Sequence, residues 1–122
     1  MPRFVILEHT GTASYKPGRH WDLMLESEGR LRTWELEAAP VDGVKVRAEA
    51  LPDHRLHYLE YEGPLSEDRG TVRRWDAGIY LLLGEFEDQL ECELSGERFQ
   101  GRLLLSGHSL DRGHCWARFD AR

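Results

Sequence analysis

Strict alternation of apolar and polar residues over short stretches is the feature that most limits how this chain can fold. In residues 20–26, HWDLMLE, the side chains of Trp21, Leu23 and Leu25 fall on one face of an extended strand, and the remaining side chains fall on the other. The 12 glycines and 5 prolines separate such stretches at short intervals. The pattern predicts many short strands joined by turns.

The predicted strands are residues 3–9, 20–26, 31–36, 44–51, 56–62, 70–75, 78–83, 89–94, 97–105 and 113–119. Residues 10–19 and 37–43 are predicted as loops, and residues 27–30 as a hairpin turn. For residues 79–90 a short helix is the alternative. The spacing of the strands predicts an all-β fold, a small antiparallel β-barrel of short strands with little helix.

Length and charge limit the function classes. A chain of 122 residues is expected to form one domain, residues 1–122. The net charge of −6 opposes broad attraction to nucleic acid, so any DNA or RNA contact is expected to be local. No apolar stretch is long enough to span a bilayer and no secretion signal is evident, which predicts a cytoplasmic protein without a membrane partner. Cys92 and Cys115 form no CxxC pair and are expected to be reduced thiols.

Three residues have the spacing of a metal site. His20 and Asp22 lie two residues apart on one strand face, with their Cα atoms about 6–7 Å apart, so an imidazole and a carboxylate can converge. If the first two strands pair, His9 reaches the same point. Two imidazoles and one carboxylate suit Mn²⁺, Fe²⁺ or Zn²⁺ and leave open positions for a ligand. The alternative is a hydrogen-bonded polar cluster.

Motifs along nearly the whole chain, residues 4–116, resemble the 3′-phosphoesterase domain of bacterial DNA ligase D. They are FVILEH, HWDLMLESEGRLRTWEL, PDHRLHYLEYEG, GTVRRWDAGIY and GERFQGRLLL, in the same order as in the family. The resemblance implies a small β-barrel with a concave site. It also implies removal of a 3′-phosphate, or a lone 3′-ribonucleotide, from DNA ends during repair, with Mn²⁺ as the expected cofactor and Zn²⁺ or Co²⁺ as alternatives.

Carried over residue by residue, the resemblance places His9, His20 and Asp22 on the family's metal ligands. His54 and Tyr58 fall on its phosphate-contacting pair and are the candidate catalytic residues. Met24 stands where the family has a phosphate-clamping arginine, and Ala38 lies near the position of a family lysine. The cations that could replace them are Lys16, Arg19, Arg47 and Arg55, of which Arg47 and Arg55 are the predicted phosphate-binding residues.

The leading hypothesis is a metal-dependent 3′-phosphoesterase acting on DNA or RNA 3′ ends, working with separate ligase or polymerase chains. One alternative is a non-catalytic binding or partner module of the same fold, which Met24 and Ala38 favour. Another is a hydrolase of small phosphate esters. The other histidines, His57, His108 and His114, have no convergent partner in the sequence and are expected to face solvent.

Overall fold

A computed structural model describes residues 1–107 and 109–122. The strands within these residues are β1 (Arg3–Thr12), β2 (Tyr15–Ser27), β3 (Arg30–Leu36), β4 (Lys45–His54), β5 (Gly63–Pro64), β6 (Thr71–Phe86), β7 (Gln89–Gly96), β8 (Gln100–Ser106) and β9 (His114–Ala121). A 3₁₀ turn, Leu56–Leu59, lies between β4 and β5. In this described part of the chain, no helix is long and apolar enough to cross a membrane.

The strands close into a ring. The order is β1, β2, β3, β4, β9, β8, β7, β6, and β6 pairs with β1 to complete the circle, while β5 adds a short ladder to β6. All of these pairs are antiparallel. The structure therefore confirms the predicted all-β, barrel-like fold with little helix.

The inside of the ring holds the larger apolar cluster, called here the interior core. Alternation along each strand turns one set of side chains inward. Trp34 is 2 % exposed and donates its indole N–H to the carbonyl oxygen of Leu110, 2.9 Å away. Phe99 packs edge-on against Phe119. Members of the interior core come from every strand of the ring: Phe4, Ile6, Leu23, Leu25, Trp34, Leu36, Val46, Ala48, Tyr80, Leu90, Cys92, Leu94, Leu103, Leu105, Cys115, Ala117 and Phe119, together with Leu110.

A second apolar cluster, the outer cluster, lies on the outside of the ring over β1, β2 and β3. Its buried members are Val5, Leu7, Met24, Leu31, Leu59 and Val72. The 3₁₀ turn and the residues that follow it cover this face, since Leu59, Tyr58 and Leu65 belong to or pack on the cluster. Strand β1 is therefore buried on both faces, which explains why the run FVIL has no polar alternation.

The predicted loop at residues 10–19 is wrong, because most of it is strand. Strand β1 continues to Thr12 and β2 begins at Tyr15, with a two-residue turn between them. Gly11 is needed here because β1 and β2 approach each other closely. A Cβ at Gly11 would lie 1.8 Å from the carbonyl oxygen of Lys16. Glycine therefore marks a tight hairpin at this position.

The predicted strand at residues 56–62 is also wrong. A 3₁₀ turn forms there because Leu59 turns into the outer cluster, and the N–H groups of Tyr58 and Glu60 bond back to the carbonyls of Arg55 and His57.

The two strands predicted at residues 70–75 and 78–83 are one long strand, β6. Its pairing with β1 shifts by one residue next to Trp75, and this shift is a β-bulge. The buried carboxylate of Asp76 accepts hydrogen bonds from the backbone N–H groups of Ala77, Arg98 and Phe99. Asp76 thereby stabilises the turn after β7, so that β8 begins at Gln100 and not at residue 97. The helix alternative for residues 79–90 is excluded, since β6 and β7 form a hairpin there.

Candidate functional site

The three predicted metal ligands meet at one end of the outer cluster. His9 and His20 are directly opposite each other in the pairing of β1 with β2, and Asp22 lies two residues further along β2 on the same face. All three are buried, with 5 %, 8 % and 5 % of their surfaces exposed. Their ligand atoms all lie within 4.8 Å of one another. The structure therefore brings together the residues that the sequence singled out.

The distances between these groups suit a shared ligand. His9 Nδ1 lies 2.8 Å from His20 Nε2. The Asp22 oxygens lie 3.9 Å from His9 Nδ1 and 3.6 Å from His20 Nε2, beyond hydrogen-bond distance. Asp22 Oδ1 is buried and has no hydrogen-bond partner among the described residues. Because an unpaired buried carboxylate oxygen is costly, this corner of the site fits a cation.

The tautomer of His9 is fixed by a residue other than the three proposed ligands. His9 Nε2 lies 2.7 Å from the carbonyl oxygen of Arg69, which can only accept, so Nε2 carries the proton. The lone pair of Nδ1 then faces His20 and Asp22. A backbone carbonyl behind a histidine is a common way to orient a metal ligand.

Burial sets the protonation of the other two ligands. It lowers the pKa of His20 to about 4, and the neighbouring His9 and Lys16 act in the same direction, against Glu35. It raises the pKa of Asp22 to about 7, with a further contribution from Glu35. His20 is thus a neutral imidazole at physiological pH, the form that binds metal ions.

Glu35 was not found from the sequence, although it stands beside these ligands. It pairs with Asp22 across β2 and β3, which puts both side chains on the same face. Glu35 Oε1 lies 3.3 Å from His20 Nε2 and 2.7 Å from Lys16 Nζ. The register of the second hairpin, through the turn at residues 27–30, is the signal that could have revealed it.

A pocket of about 170 Å³ opens next to the ligands, between the outer face of the ring and the segment that covers it. His54 and Tyr58 lie in its wall with their rings 5.6 Å apart. Strand β4 ends at His54, and the 3₁₀ turn carries Tyr58. The lining residues are Leu7, His9, Tyr15, Lys16, Asp22, Met24, Leu51, Pro52, His54, Tyr58, Leu65, Arg69 and Val72.

His54 is held as a neutral imidazole. Its Nδ1 lies 2.9 Å from the carbonyl oxygen of Pro52 and donates to it, which leaves the Nε2 lone pair free to accept a proton. Burial lowers the pKa of His54, and the positive charges of Lys16 and Arg69 act in the same direction, against the hydrogen bond to Pro52 and the charge of Asp53. His54 can therefore act as a base near neutral pH.

Of the cations considered from the sequence, the pocket contains only Lys16. Arg19 lies 3.5 Å from Glu8 and 5.8 Å from the centre of the Trp21 ring, on the opposite face of β2. Arg47 lines a different surface depression, beside Trp116. Arg55 is exposed and does not line the pocket.

The remaining positions are placed as follows. Met24 lies in the pocket wall and is 1 % exposed. Ala38 lies in the exposed loop after β3. Of the histidines expected to face solvent, His57 and His114 are exposed, and His108 lies outside the described residues. Arg69 lines the pocket and was missed, because only the folding of residues 66–70 against β1 brings it there.

The fold and the site define a small β protein whose strands close into a ring, with a pocket lined by histidines, an aspartate, Lys16 and Arg69. Residues 8–110 match the family described as the DNA ligase D 3′-phosphoesterase domain. The chain is also 32 % identical over 96 residues to the multifunctional non-homologous end joining protein LigD of Pseudomonas aeruginosa, a match that covers 70 % of this chain and 11 % of that protein. The chain belongs to the DNA ligase D 3′-phosphoesterase domain family. It spans about a tenth of the length of this relative.

Proposed function

We propose that this domain is a metal-dependent phosphoesterase that acts on the 3′ ends of DNA or RNA during repair. The observation that carries the proposal is the orphaned oxygen of Asp22, buried beside two imidazole nitrogens at the edge of a pocket. Family membership supports the reaction class. Mn²⁺ is the proposed cofactor, and Zn²⁺ or Co²⁺ would fit the same mixed donor set.

His9, His20 and Asp22 would hold the ion, which when bound would polarise a phosphate oxygen as a Lewis acid. The side chains of the pocket then have separate roles. In this hydrolysis a water molecule attacks phosphorus and the bond to the 3′ oxygen breaks. His54, with a free Nε2 and a lowered pKa, accepts a proton from that water, and the leaving 3′ oxygen takes up a proton from solvent. Tyr58, next to the His54 ring, donates its hydroxyl hydrogen to a phosphate oxygen.

Nucleic-acid contact is proposed to be local to the pocket. The chain carries a net charge of −6, so it lacks the broad positive field that holds long stretches of backbone. A single strand end that enters the pocket meets Lys16 and Arg69. The relative in Pseudomonas aeruginosa is multifunctional, and we propose that separate ligase or polymerase chains supply such functions here.

Release of phosphate from a 3′-phosphorylated primer tests the proposal. The purified chain is stripped of metal and assayed with Mn²⁺, Zn²⁺ or Co²⁺ in turn. We expect release only with metal, and none above background from His9→Ala or Asp22→Asn. Absence of release with all three ions would exclude the enzymatic role.

A second candidate function is a binding module that retains the ion and lacks hydrolysis. It is favoured by Met24, an apolar side chain buried in the pocket wall. Turnover that appears only in Met24→Arg would support this candidate. Faster turnover of small phosphate esters than of primer ends would instead indicate that small molecules are the substrates.

A further inference from the structure

Two cations line the pocket, and they differ in what surrounds them. Lys16 Nζ lies 2.7 Å from Glu35 Oε1, so a carboxylate already balances its charge. Arg69 bonds through Nε and Nη2 to the carbonyl and hydroxyl oxygens of Ser66, which are neutral. Within residues 1–107 and 109–122, no ion pair includes Arg69. Arg69 therefore brings an unbalanced positive charge to the pocket.

The backbone of Arg69 is held tightly against β1. Its carbonyl oxygen accepts the hydrogen bond from His9, and the hydroxyl of Thr12 donates to the carbonyl oxygen of Asp68 at 3.0 Å. At Gly70, where φ is +93°, an added Cβ would lie 2.0 Å from the carbonyl oxygen of Thr10. The turn that carries Arg69 is thus docked on the same strand that supplies His9.

Several other residues of the pocket wall offer no positive charge to an anion. Leu7, Met24 and Val72 are apolar, buried and part of the outer cluster. His54, which also lines the pocket, is neutral because burial lowers its pKa. Of Lys16 and Arg69, Arg69 is therefore the pocket cation whose charge is not balanced by a carboxylate.

We propose that the guanidinium of Arg69 binds the phosphate group of the substrate in this pocket. The inference rests on the proposed function and names a residue that the sequence did not reveal. Nη1 has no role in the bonds to Ser66, so it is available to a phosphate oxygen while Nε and Nη2 stay anchored. Charged hydrogen bonds of this kind are among the strongest in proteins.

The arrangement gives Arg69 two separable contacts. Its backbone oxygen orients His9 toward the metal site, and its side chain faces the phosphate. A substitution removes only the second contact, because every residue at position 69 retains the backbone carbonyl. Loss of phosphate binding with intact metal binding is therefore the expected signature of Arg69→Gln.

Titration with inorganic phosphate tests this signature. Calorimetry would measure phosphate binding to the Mn²⁺-loaded chain, and electron paramagnetic resonance would measure free Mn²⁺. We expect Arg69→Gln to weaken phosphate binding by about 10-fold to 100-fold, the range for one charged hydrogen bond, with Mn²⁺ affinity unchanged. Arg69→Lys should recover part of the loss. The control is Arg118→Gln, an exposed arginine paired with Asp120 on β9, which should bind phosphate as the wild type does.

A rescue variant tests whether weaker phosphate binding in Arg69→Gln is caused by loss of folding. Met24→Arg placed in the Arg69→Gln background should restore phosphate affinity, because it adds a guanidinium to the same pocket. Unchanged phosphate affinity in Arg69→Gln, or a parallel loss of Mn²⁺ affinity, would overturn the proposal. Primer turnover separates the proposed phosphoesterase function from the role of Arg69. If the wild type releases phosphate and Arg69→Gln does so with the same KM and kcat, the role of Arg69 is rejected and the phosphoesterase function stands.

Discussion

The two apolar clusters of this molecule differ in how they are enclosed. The interior core is surrounded by the whole ring and draws side chains from all eight of its strands. The outer cluster lies on only part of the outer surface and is covered by a 3₁₀ turn and irregular chain. The proposed metal ligands and the pocket lie beside the outer cluster. The domain thus separates the residues that hold its shape from those that hold its ligands.

The difference explains why polar residues are tolerated where they are. Inside the ring, a charged group needs internal partners, as the carboxylate of Asp76 has in three backbone N–H groups. On the outside, His9, Asp22 and His54 border apolar residues on one side and an opening on the other. We therefore expect changes in the interior core to alter stability without altering affinity, and changes at the outer cluster to alter both.

The largest expected effect is that of Trp34→Ala in the interior core. It removes a large buried side chain and its hydrogen bond to Leu110, and should lower the free energy of unfolding by about 3–5 kcal/mol. Urea unfolding measures the loss. Mn²⁺ affinity of the molecules that remain folded should be unchanged, and a weakened affinity would contradict the separation of the two clusters.

Leu59→Ala should have a smaller effect on stability and a clearer effect on binding. Leu59 is 5 % exposed and fixes the 3₁₀ turn on the outer cluster, so we expect a loss of about 2–3 kcal/mol in urea unfolding, at the low end for buried leucine. Phosphate affinity should fall, since Tyr58 lies on the same turn. Equal phosphate affinity in this variant and in Trp34→Ala would show that the covering segment does not shape the pocket.

Asp22→Asn should stabilise the metal-free protein while it removes metal binding. The pKa of Asp22 is raised from 3.8 to about 7, so the wild type loses stability as the pH rises from about 4 through 7 and the buried carboxylate ionises. At pH 8 with chelator, the variant should be more stable by about 1–3 kcal/mol. The gain should vanish near pH 4, where the carboxyl of the wild type is protonated.

Thermal unfolding across this pH range measures the difference between the two proteins. Mn²⁺ at pH 8 should then raise the melting temperature of the wild type and not that of the variant. A stability difference that is the same at pH 4 and pH 8 would mean that ionisation of Asp22 is not its cause.

The smallest expected signal concerns the cysteines of the interior core. Burial raises the pKa of Cys92 to about 12 and also raises that of Cys115. Both thiols are expected to stay unlabelled by a thiol reagent at pH 8 in the native protein and to react once urea unfolds it. Labelling that is faster than unfolding would show that the ring opens locally.

Sequence periodicity predicted much of the ring, because each strand shows its own buried face. The residues 20–26 alternate, and that alternation placed His20 and Asp22 correctly on one face. The hairpin at residues 10–19 was missed because glycine serves both loops and close strand contacts. The sequence predicts two strands within β6 because the bulge at Trp75 interrupts the alternation of buried and exposed residues.

The pocket was only half predictable for a different reason. His9, His20 and Asp22 come from one hairpin, so local pairing was enough to bring them together. Arg69 reaches the site through β6, which pairs with β1 across a long stretch of chain. Contacts of this kind form only when the ring closes, and no local sequence pattern predicts them.

The hydrogen bond between His9 and the Arg69 carbonyl has a consequence for the order of folding. The first hairpin can gather all three ligands early, whereas the turn that orients His9 arrives only after β6 has closed the ring. Mn²⁺ added during refolding should therefore bind in two phases, a weak one with the hairpin and a tight one with closure. Stopped-flow measurement of ion uptake would show a single phase if the hairpin has no affinity of its own.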